Sequence, residues 1–523
     1  MSSDPSRTPT PSRLALFLLL SAAIFSPVIA QESVELEVFS LVYGALETAT
    51  HTFEVDSLTL SVPENRSDSA SRAIDIPVIR FRALSETSET PVFWLGGGPG
   101  QTNLRTFDYD YFIDRHDHVM VGYRGVDGST SLDCGEVSTV LREVDDILEE
   151  TALDSVGEAF ERCWDRLTEA GVDIDGYTLI EVVKDIDAAR LELGYDRIDI
   201  VAESFGTRLG YLYSLVFPES VHRMILVGAQ PPGGMVWDPY QADDLIRAYG
   251  RLWSQDPKAA SRHPDLVEAV RTVNQNMPRS WLLMPIYPGN VKASAHAMMF
   301  HRETAAKVFD TYVAAANGDA SGVWMFSVVA PFIFPDVVNW GENASKAISA
   351  DYEPGRDYEH ELLPPDAVFG APLGAFLWAP ADRWPIQPMP SEYRTPDTSF
   401  VQTLIISGNL DFSTPAQNVE SGLLPYLPNA THVVLSDMGH ILDLWRADPG
   451  GTRRLVTVFL ETGAVDGSAV EYVPMDFDVS RGFPLLAKLV VAGIVATVAL
   501  VVLLVWWLIR TIRRRRARGK SGE

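Results

Sequence analysis

Three side chains, far apart in the chain, have the types and the order that acyl transfer needs. Ser204 stands in Ala202-Glu-Ser-Phe-Gly206, directly behind the apolar run Ile198-Asp-Ile-Val-Ala202 and ahead of a helical stretch from Thr207 to Phe217. A serine on a sharp strand-to-helix turn is presented outward, and its neighbours must be small because the backbone folds back beside it. Gly206 meets that need, while Ala202 adds one methyl where a glycine is usual. Alone, the pentapeptide also fits an ordinary strand–helix junction with a capping serine. Two later loops change the balance. Leu404-Ile-Ile-Ser-Gly-Asn-Leu-Asp-Phe-Ser-Thr-Pro415 sets Asp411 in a turn just past an apolar strand, and Asp437-Met-Gly-His440 follows the last strand. Each alone could be a turn former or a helix start; in the order Ser, Asp, His, each at a strand end, they form a set. Ser204 would be the nucleophile, His440 the base that takes its proton, and Asp411 the group that holds the imidazole tautomer. The oxyanion would need preorganised donors: the Phe205 N–H, and an N–H from Gly97 or Gly98 in Gly96-Gly-Gly-Pro-Gly100. That glycine run lacks the Lys-Ser/Thr of a phosphate loop and the spacing of a dinucleotide loop.

The elements that must carry these residues are legible as a rhythm. Strands are expected at 53–62, 74–81, 91–95, 119–123, 198–202 and 221–227, with helical periodicity from about 156 to 193 broken near 171–176. Strands alternating with helices imply parallel pairing and a sheet covered on both faces. The rhythm stops near Pro231 and resumes at strand 401–407, a helix after Pro415, strand 431–435 and a helix over 441–460. The Trp-, Met- and Pro-rich stretch between holds helical pieces such as 242–253 and 265–276. The expected fold class is therefore α/β, a mostly parallel sheet interrupted by a helical cap. The core halves fall at 31–231 and 399–462, the cap at 232–398, and a membrane-proximal linker at 463–484.

The ends of the chain bear on its compartment. Arg13, an apolar run from Leu14 to Phe25 and a small residue at Ala30 describe a signal peptide over 1–30. Leu489–Ile509 is an uninterrupted run of 21 apolar or small residues, long enough at ~1.5 Å per residue to cross a ~30 Å hydrocarbon core. A transmembrane helix is thus expected over 485–509. Trp506 and Trp507 suit an interface, and the Arg-rich tail 510–523 that follows favours the cytoplasmic side. The domain before it would be periplasmic or extracellular. The net charge of −28 includes that basic tail, so the rest is more acidic still; such a surface repels nucleic acid, and no nucleic-acid partner is expected. The two cysteines, Cys134 and Cys163, are either a disulfide, which an exporting compartment permits, or two buried thiols. A bridge would close a loop contributing ~3–4 kcal/mol in the chain-entropy account.

Leu95-Gly-Gly-Gly-Pro-Gly100, Tyr123-Arg-Gly125, Ala202-Glu-Ser-Phe-Gly206, Gly408-Asn-Leu-Asp411 with Thr414-Pro415, and Gly439-His440 together resemble the proline iminopeptidase and tripeptidyl aminopeptidase-like branch of the α/β-hydrolases. The resemblance covers roughly residues 50–460 and is weak across the cap. It implies the α/β-hydrolase fold and an exopeptidase that removes residues from peptide N-termini through a serine acyl-enzyme. It also implies cap carboxylates holding the free α-amine, with Glu342, Asp351, Glu353, Asp357, Glu359, Glu361 and Glu203 as candidates by position. Cys134 and Cys163 resemble a cysteine pair of exported members. Two departures bear on substrate: Gly96 replaces a histidine common before the glycine loop, and Gly122-Tyr-Arg-Gly125 lacks the aspartate of Asp-x-Arg-Gly. A carboxylesterase or lipase-like hydrolase on the same three residues, and a non-catalytic binding ectodomain, are the alternatives. His116, His118, His296, His301 and His360 have structural readings. No spacing matches a metal site, and neither metal nor cofactor is expected. Asn65, Asn343 and Asn429 head glycosylation sequons that matter only in a eukaryotic source.

Overall fold

The computed structural model describes residues 44–47, 52–85, 89–105 and 112–519. The leader expected at 1–30 and the last residues of the basic tail, 520–523, lie outside them.

Nine strands form one sheet. They are β1 (Gly44–Glu47), β2 (Thr52–Pro63), β3 (Ala73–Phe81), β4 (Val92–Leu95), β5 (His118–Val121), β6 (Ile198–Glu203), β7 (Val221–Val227), β10 (Gln402–Gly408) and β11 (Ala430–Leu435). Their order is β1-β2-β3-β5-β4-β6-β7-β10-β11. The β1–β2, β2–β3 and β3–β5 pairings are antiparallel, and those from β5 through β11 are parallel. The central strands β4, β5 and β6 are buried along their whole length, in keeping with mainly apolar strands covered on both faces. β5 stops two residues short of the expected end. A side chain at Gly122 would meet Asp127 Cβ at 2.7 Å and the Pro77 carbonyl at 3.1 Å, so the chain turns off there.

The helical stretch expected over 156–193 is Glu150–Glu169, a short 3-10 turn at Ile174–Gly176, and Leu179–Glu192. The helix expected over 441–460 is two helices, Leu442–Arg446 and Pro449–Thr462. Proline cannot continue the first, and the Asp448 side chain caps the second by accepting from the Gly451 N–H. Cys134 and Cys163 are bonded to each other, joining the start of helix Gly135–Glu143 to helix Glu150–Glu169.

Between β7 and β10 the chain leaves the sheet and builds a mainly helical body with one two-stranded hairpin, β8 (Ser280–Trp281) and β9 (Met284–Pro285). Its apolar core includes Trp253, Phe309, Tyr312 and Trp324. The stretch after helix Pro449–Thr462, expected as a linker, is bound down. Phe477 is buried in that same core, Val473 and Val470 pack against the sheet's outer face, and Arg302 donates to the Val473 carbonyl. Apolar residues spaced through 470–477 account for the difference, since a free linker would leave them in water.

The last described element is helix Phe483–Gly519. Its segment Phe483–Arg513 is long and apolar enough to cross a membrane. Its first turns pack on the rest of the molecule: Pro484, Ala487 and Val490 are buried, while residues 495–510 are exposed.

Candidate active site

The turn at Ser204 forms because nothing larger fits around it. Ser204 sits at φ 49°, ψ −123°, a strained conformation for a residue with a side chain. A side chain at Gly206 would lie 2.1 Å from the Leu95 carbonyl oxygen, and one at Gly97 would lie 2.8 Å from Ser204 Cβ. Glycine is therefore required at both positions. The extra methyl of Ala202 is accommodated by the helix behind it, Phe205–Val216. That helix turns Gly210 toward the strand, and even a Cβ there would stand 3.4 Å from Ala202 Cβ.

The three expected residues converge. The His440 Nε2 lies 3.0 Å from Ser204 Oγ, and its Nδ1 lies 2.7 Å from Asp411 Oδ2. Asp411 is fully buried at the end of β10. It also accepts from the Ser413 N–H at 2.7 Å, the Thr414 N–H at 2.9 Å and the Thr414 hydroxyl at 2.8 Å. Burial alone would raise its pKa. The adjacent imidazole and these hydrogen bonds outweigh burial and hold the carboxyl below its ordinary value. The His440 loop is fixed from the cap side, where the His440 N–H donates to the Phe300 carbonyl at 2.7 Å and His301 Nδ1 lies 3.1 Å from the His440 carbonyl oxygen.

The glycine loop is held by groups that spacing did not reveal. Asn103, buried, accepts from the Gly96 N–H at 2.7 Å and donates to the carbonyls of Trp94 and Val121. The Tyr123 hydroxyl donates to the Gly96 carbonyl at 3.0 Å. Across the loop, the Gly100 N–H donates to the Glu342 carboxylate. Glu342 and Lys346, one turn apart on helix Trp340–Asp351, are both fully buried and 3.3 Å apart. The Phe205 N–H opens its helix and has no preceding turn to bond. Phe205, Gly97 and Gly98 all line the cavity that holds Ser204.

A cavity of about 510 Å³ opens onto Ser204 and His440. Aromatic residues dominate its wall, among them Trp237, Phe300, Phe334, Trp340, Phe376 and Trp378. Of the seven carboxyl candidates, only Glu203 lines it. Glu342 is engaged with Gly100 and Lys346, and Asp351 accepts from the Gly233 and Met235 N–H groups. Asp357 caps a surface helix, Glu361 pairs with Arg356, and neither they nor Glu353 and Glu359 reach the wall. Glu203 is buried and takes a hydrogen bond from the Trp445 indole N–H; burial pushes its pKa up to about 8. His301, expected to be structural, lines the cavity beside His440.

An eight-strand-or-larger, mostly parallel sheet with a strand–turn–helix serine, a following aspartate and a last-loop histidine defines a serine hydrolase of the α/β-hydrolase fold. Residues 91–260 match the alpha/beta hydrolase fold family. Among particular proteins, the chain is similar to the tripeptidyl aminopeptidase of Streptomyces lividans, 22% identical over 403 residues covering 68% of this chain and 72% of that one. It is also similar to the serine protease Hip1 of Mycobacterium tuberculosis, 42% identical over 64 residues, which span only 12% of either chain. Among solved structures, the proline iminopeptidase of Mycobacterium smegmatis aligns at 15% identity and a TM-score of 0.36, covering 77% of this chain and 98% of that one.

Proposed function

We propose that Ser204, His440 and Asp411 are the catalytic residues of an aminopeptidase held at a membrane. The observation that carries the reading is the hydrogen-bonded chain from Ser204 through His440 to Asp411 at the floor of the cavity. In this mechanism Ser204 Oγ attacks the scissile carbonyl carbon while His440 Nε2 takes the hydroxyl proton. The carbonyl oxygen becomes an oxyanion between the N–H groups of Phe205 and of Gly97 or Gly98. Asp411, acceptor-only, keeps the other imidazole proton on Nδ1 and stabilises the imidazolium. Collapse expels the leaving amine, which takes the proton from His440, and leaves an acyl-enzyme. Water then gives its proton to His440, attacks the ester and releases the acid.

Preference for a free N-terminus rests on Glu203. It is the one carboxyl on the cavity wall among the described residues. With a pKa of about 8 it is matched to an α-amine of pKa ~8, so an entering amine can take its proton and leave an ammonium–carboxylate pair. Similarity to a tripeptidyl aminopeptidase supports the same choice. The aromatic wall favours a second reading, an esterase for apolar acyl groups, in which Glu203 keeps its proton. Aminoacyl and tripeptidyl anilides, free and N-acetylated, tested beside p-nitrophenyl esters separate the two. The aminopeptidase reading expects turnover of the free amines only, abolished in Ser204→Ala; equal turnover of blocked substrates would defeat it. Failure of Ser204 to react with a fluorophosphonate would favour a binding role instead.

The proposed location is read from the apolar helix and its basic flank. Phe483–Arg513 would be the membrane span, with its Arg-rich end in the cytoplasm and the hydrolase outside. The Cys134–Cys163 bond suits an oxidising compartment.

A further inference from the structure

The hairpin of β8 and β9 has an unusual tip. Leu282 and Leu283 both occupy the left-handed region, at φ 49° and 68°. Two-residue turns of this kind are ordinarily made by Asn-Gly or Asp-Gly, because a Cβ costs ~1–2 kcal/mol at each such position. Here two leucines take the strained positions and are 63% and 99% exposed. Arg279 is exposed at the foot of the hairpin, and Trp281 is half-buried just before the tip. Leucines at the tip, an indole beside them and a cation at the base are the arrangement of a segment seated at a lipid interface.

The direction of the hairpin can be read from the helix Ser321–Ile333, which both the hairpin and the terminal helix touch. At 100° per residue, Gly322 and Phe326 share one face, and Trp324 and Ser327 lie on the opposite one. On the first face the terminal helix runs toward the start of Ser321–Ile333. Phe483 meets Phe326 edge to face, with ring centroids 4.8 Å apart. Pro484 lies against Gly322, and Lys488 pairs with Asp319. On the opposite face the hairpin runs the same way. The Tyr287 N–H donates to the Ser327 hydroxyl at 2.7 Å, and Trp281 meets Trp324 at 5.2 Å. The tip lies beyond Trp281 in the direction in which the apolar helix leaves the molecule.

We infer that the Leu282–Leu283 tip dips into the same bilayer that Phe483–Arg513 crosses, giving the cap a second membrane contact. The inference rests on reading that helix as a span. The two contacts stand on opposite faces of one helix, so together they fix the tilt of the cap on the membrane, which a lone span leaves free to swivel.

The test uses the full chain in phosphatidylcholine–phosphatidylglycerol vesicles. The chain has two cysteines, bonded to each other, so a new cysteine takes a thiol-reactive NBD label alone. Three variants are compared: Leu283→Cys, Val501→Cys within the apolar helix, and Leu191→Cys on the exposed side of helix Leu179–Glu192. Doxyl-labelled lipids are expected to quench the labels at 283 and 501 severalfold more than the label at 191. Quenching at 501 with a water-like signal at 283 overturns the hairpin contact and leaves the span standing. No quenching at either position overturns both.

Discussion

Two buried carboxyls flank the serine, and burial has opposite consequences for them. Asp411 lies at the end of β10 and Glu203 at the end of β6, and both are nearly or wholly out of solvent. Desolvation favours the neutral form of each. Asp411 resists it because three donors from Ser413 and Thr414 and the His440 imidazole surround it. Glu203 has the Trp445 indole alone, and its pKa climbs to about 8. The difference teaches that local donor count, more than depth, decides which carboxyl is a fixed anion and which can exchange a proton at neutral pH.

The comparison breaks most severely at Asp411→Asn. The asparagine keeps the shape but favours the wrong imidazole tautomer, and kcat should fall by about 10⁴. Steady-state hydrolysis of whichever anilide or ester the protein turns over checks it, and a loss under tenfold would remove Asp411 from the mechanism. A third buried carboxyl, Glu342, extends the contrast, because its partner is a full cation. Glu342→Gln leaves Lys346 buried without its counter-charge and should cost about 3–5 kcal/mol of unfolding free energy in denaturant titrations. Glu342→Gln combined with Lys346→Met should recover much of that; no recovery would mean the pair is not the source.

The Glu203 side is sharpened by pH. Its folded pKa is raised, so its contribution to stability is fully present below the unfolded value near 4.5 and is lost as pH rises toward about 8. Between those values the folded state holds a proton that the unfolded chain has released. Wild type should therefore lose up to roughly 1.4 kcal/mol per pH unit relative to Glu203→Gln. Parallel stability curves for the two would mean that Glu203 is already ionised. Asp411 runs the other way: its folded pKa is depressed, so its contribution holds above the unfolded pKa and is lost as pH falls through the folded one. The smallest effect is expected from Thr414→Val. It removes one of the hydroxyl and amide donors to Asp411 and should lower kcat/KM about tenfold, in keeping with a charged hydrogen bond of ~1.5 kcal/mol.

Much of this site is legible without coordinates, and the reasons are local. A serine between a buried strand and a helix, a glycine run after another strand, and an Asp and a His in later strand-end loops each follow from short patterns. The two cysteines are bonded, one of the two readings that the pattern left open. What spacing could not supply is how distant parts support one another. Asn103 holds the glycine loop through the Gly96 N–H and Tyr123 through the Gly96 carbonyl, and Glu342 reaches it from a helix more than two hundred residues on. Gly210, which makes room for the methyl of Ala202, looks in sequence like any glycine weakening a helix. The cap's carboxylates were equivalent by position, and only packing separates Glu203, on the wall, from those spent on caps and ion pairs. The segment before the terminal helix reads as a linker, yet Phe477 is buried in the cap core and Val470, Val473 and Met475 are half-buried against the body.

The terminal helix is clasped by the cap and not by the sheet. Gly322, Phe326 and Asp319, all within the insertion, receive its first turns. If that helix spans a bilayer as proposed, the insertion, and not the sheet, would be the stationary part. Any separation of the two bodies that opens the cavity would then swing the sheet and its serine away from the cap, and force or curvature acting on the bilayer would reach the entrance before it reached the serine.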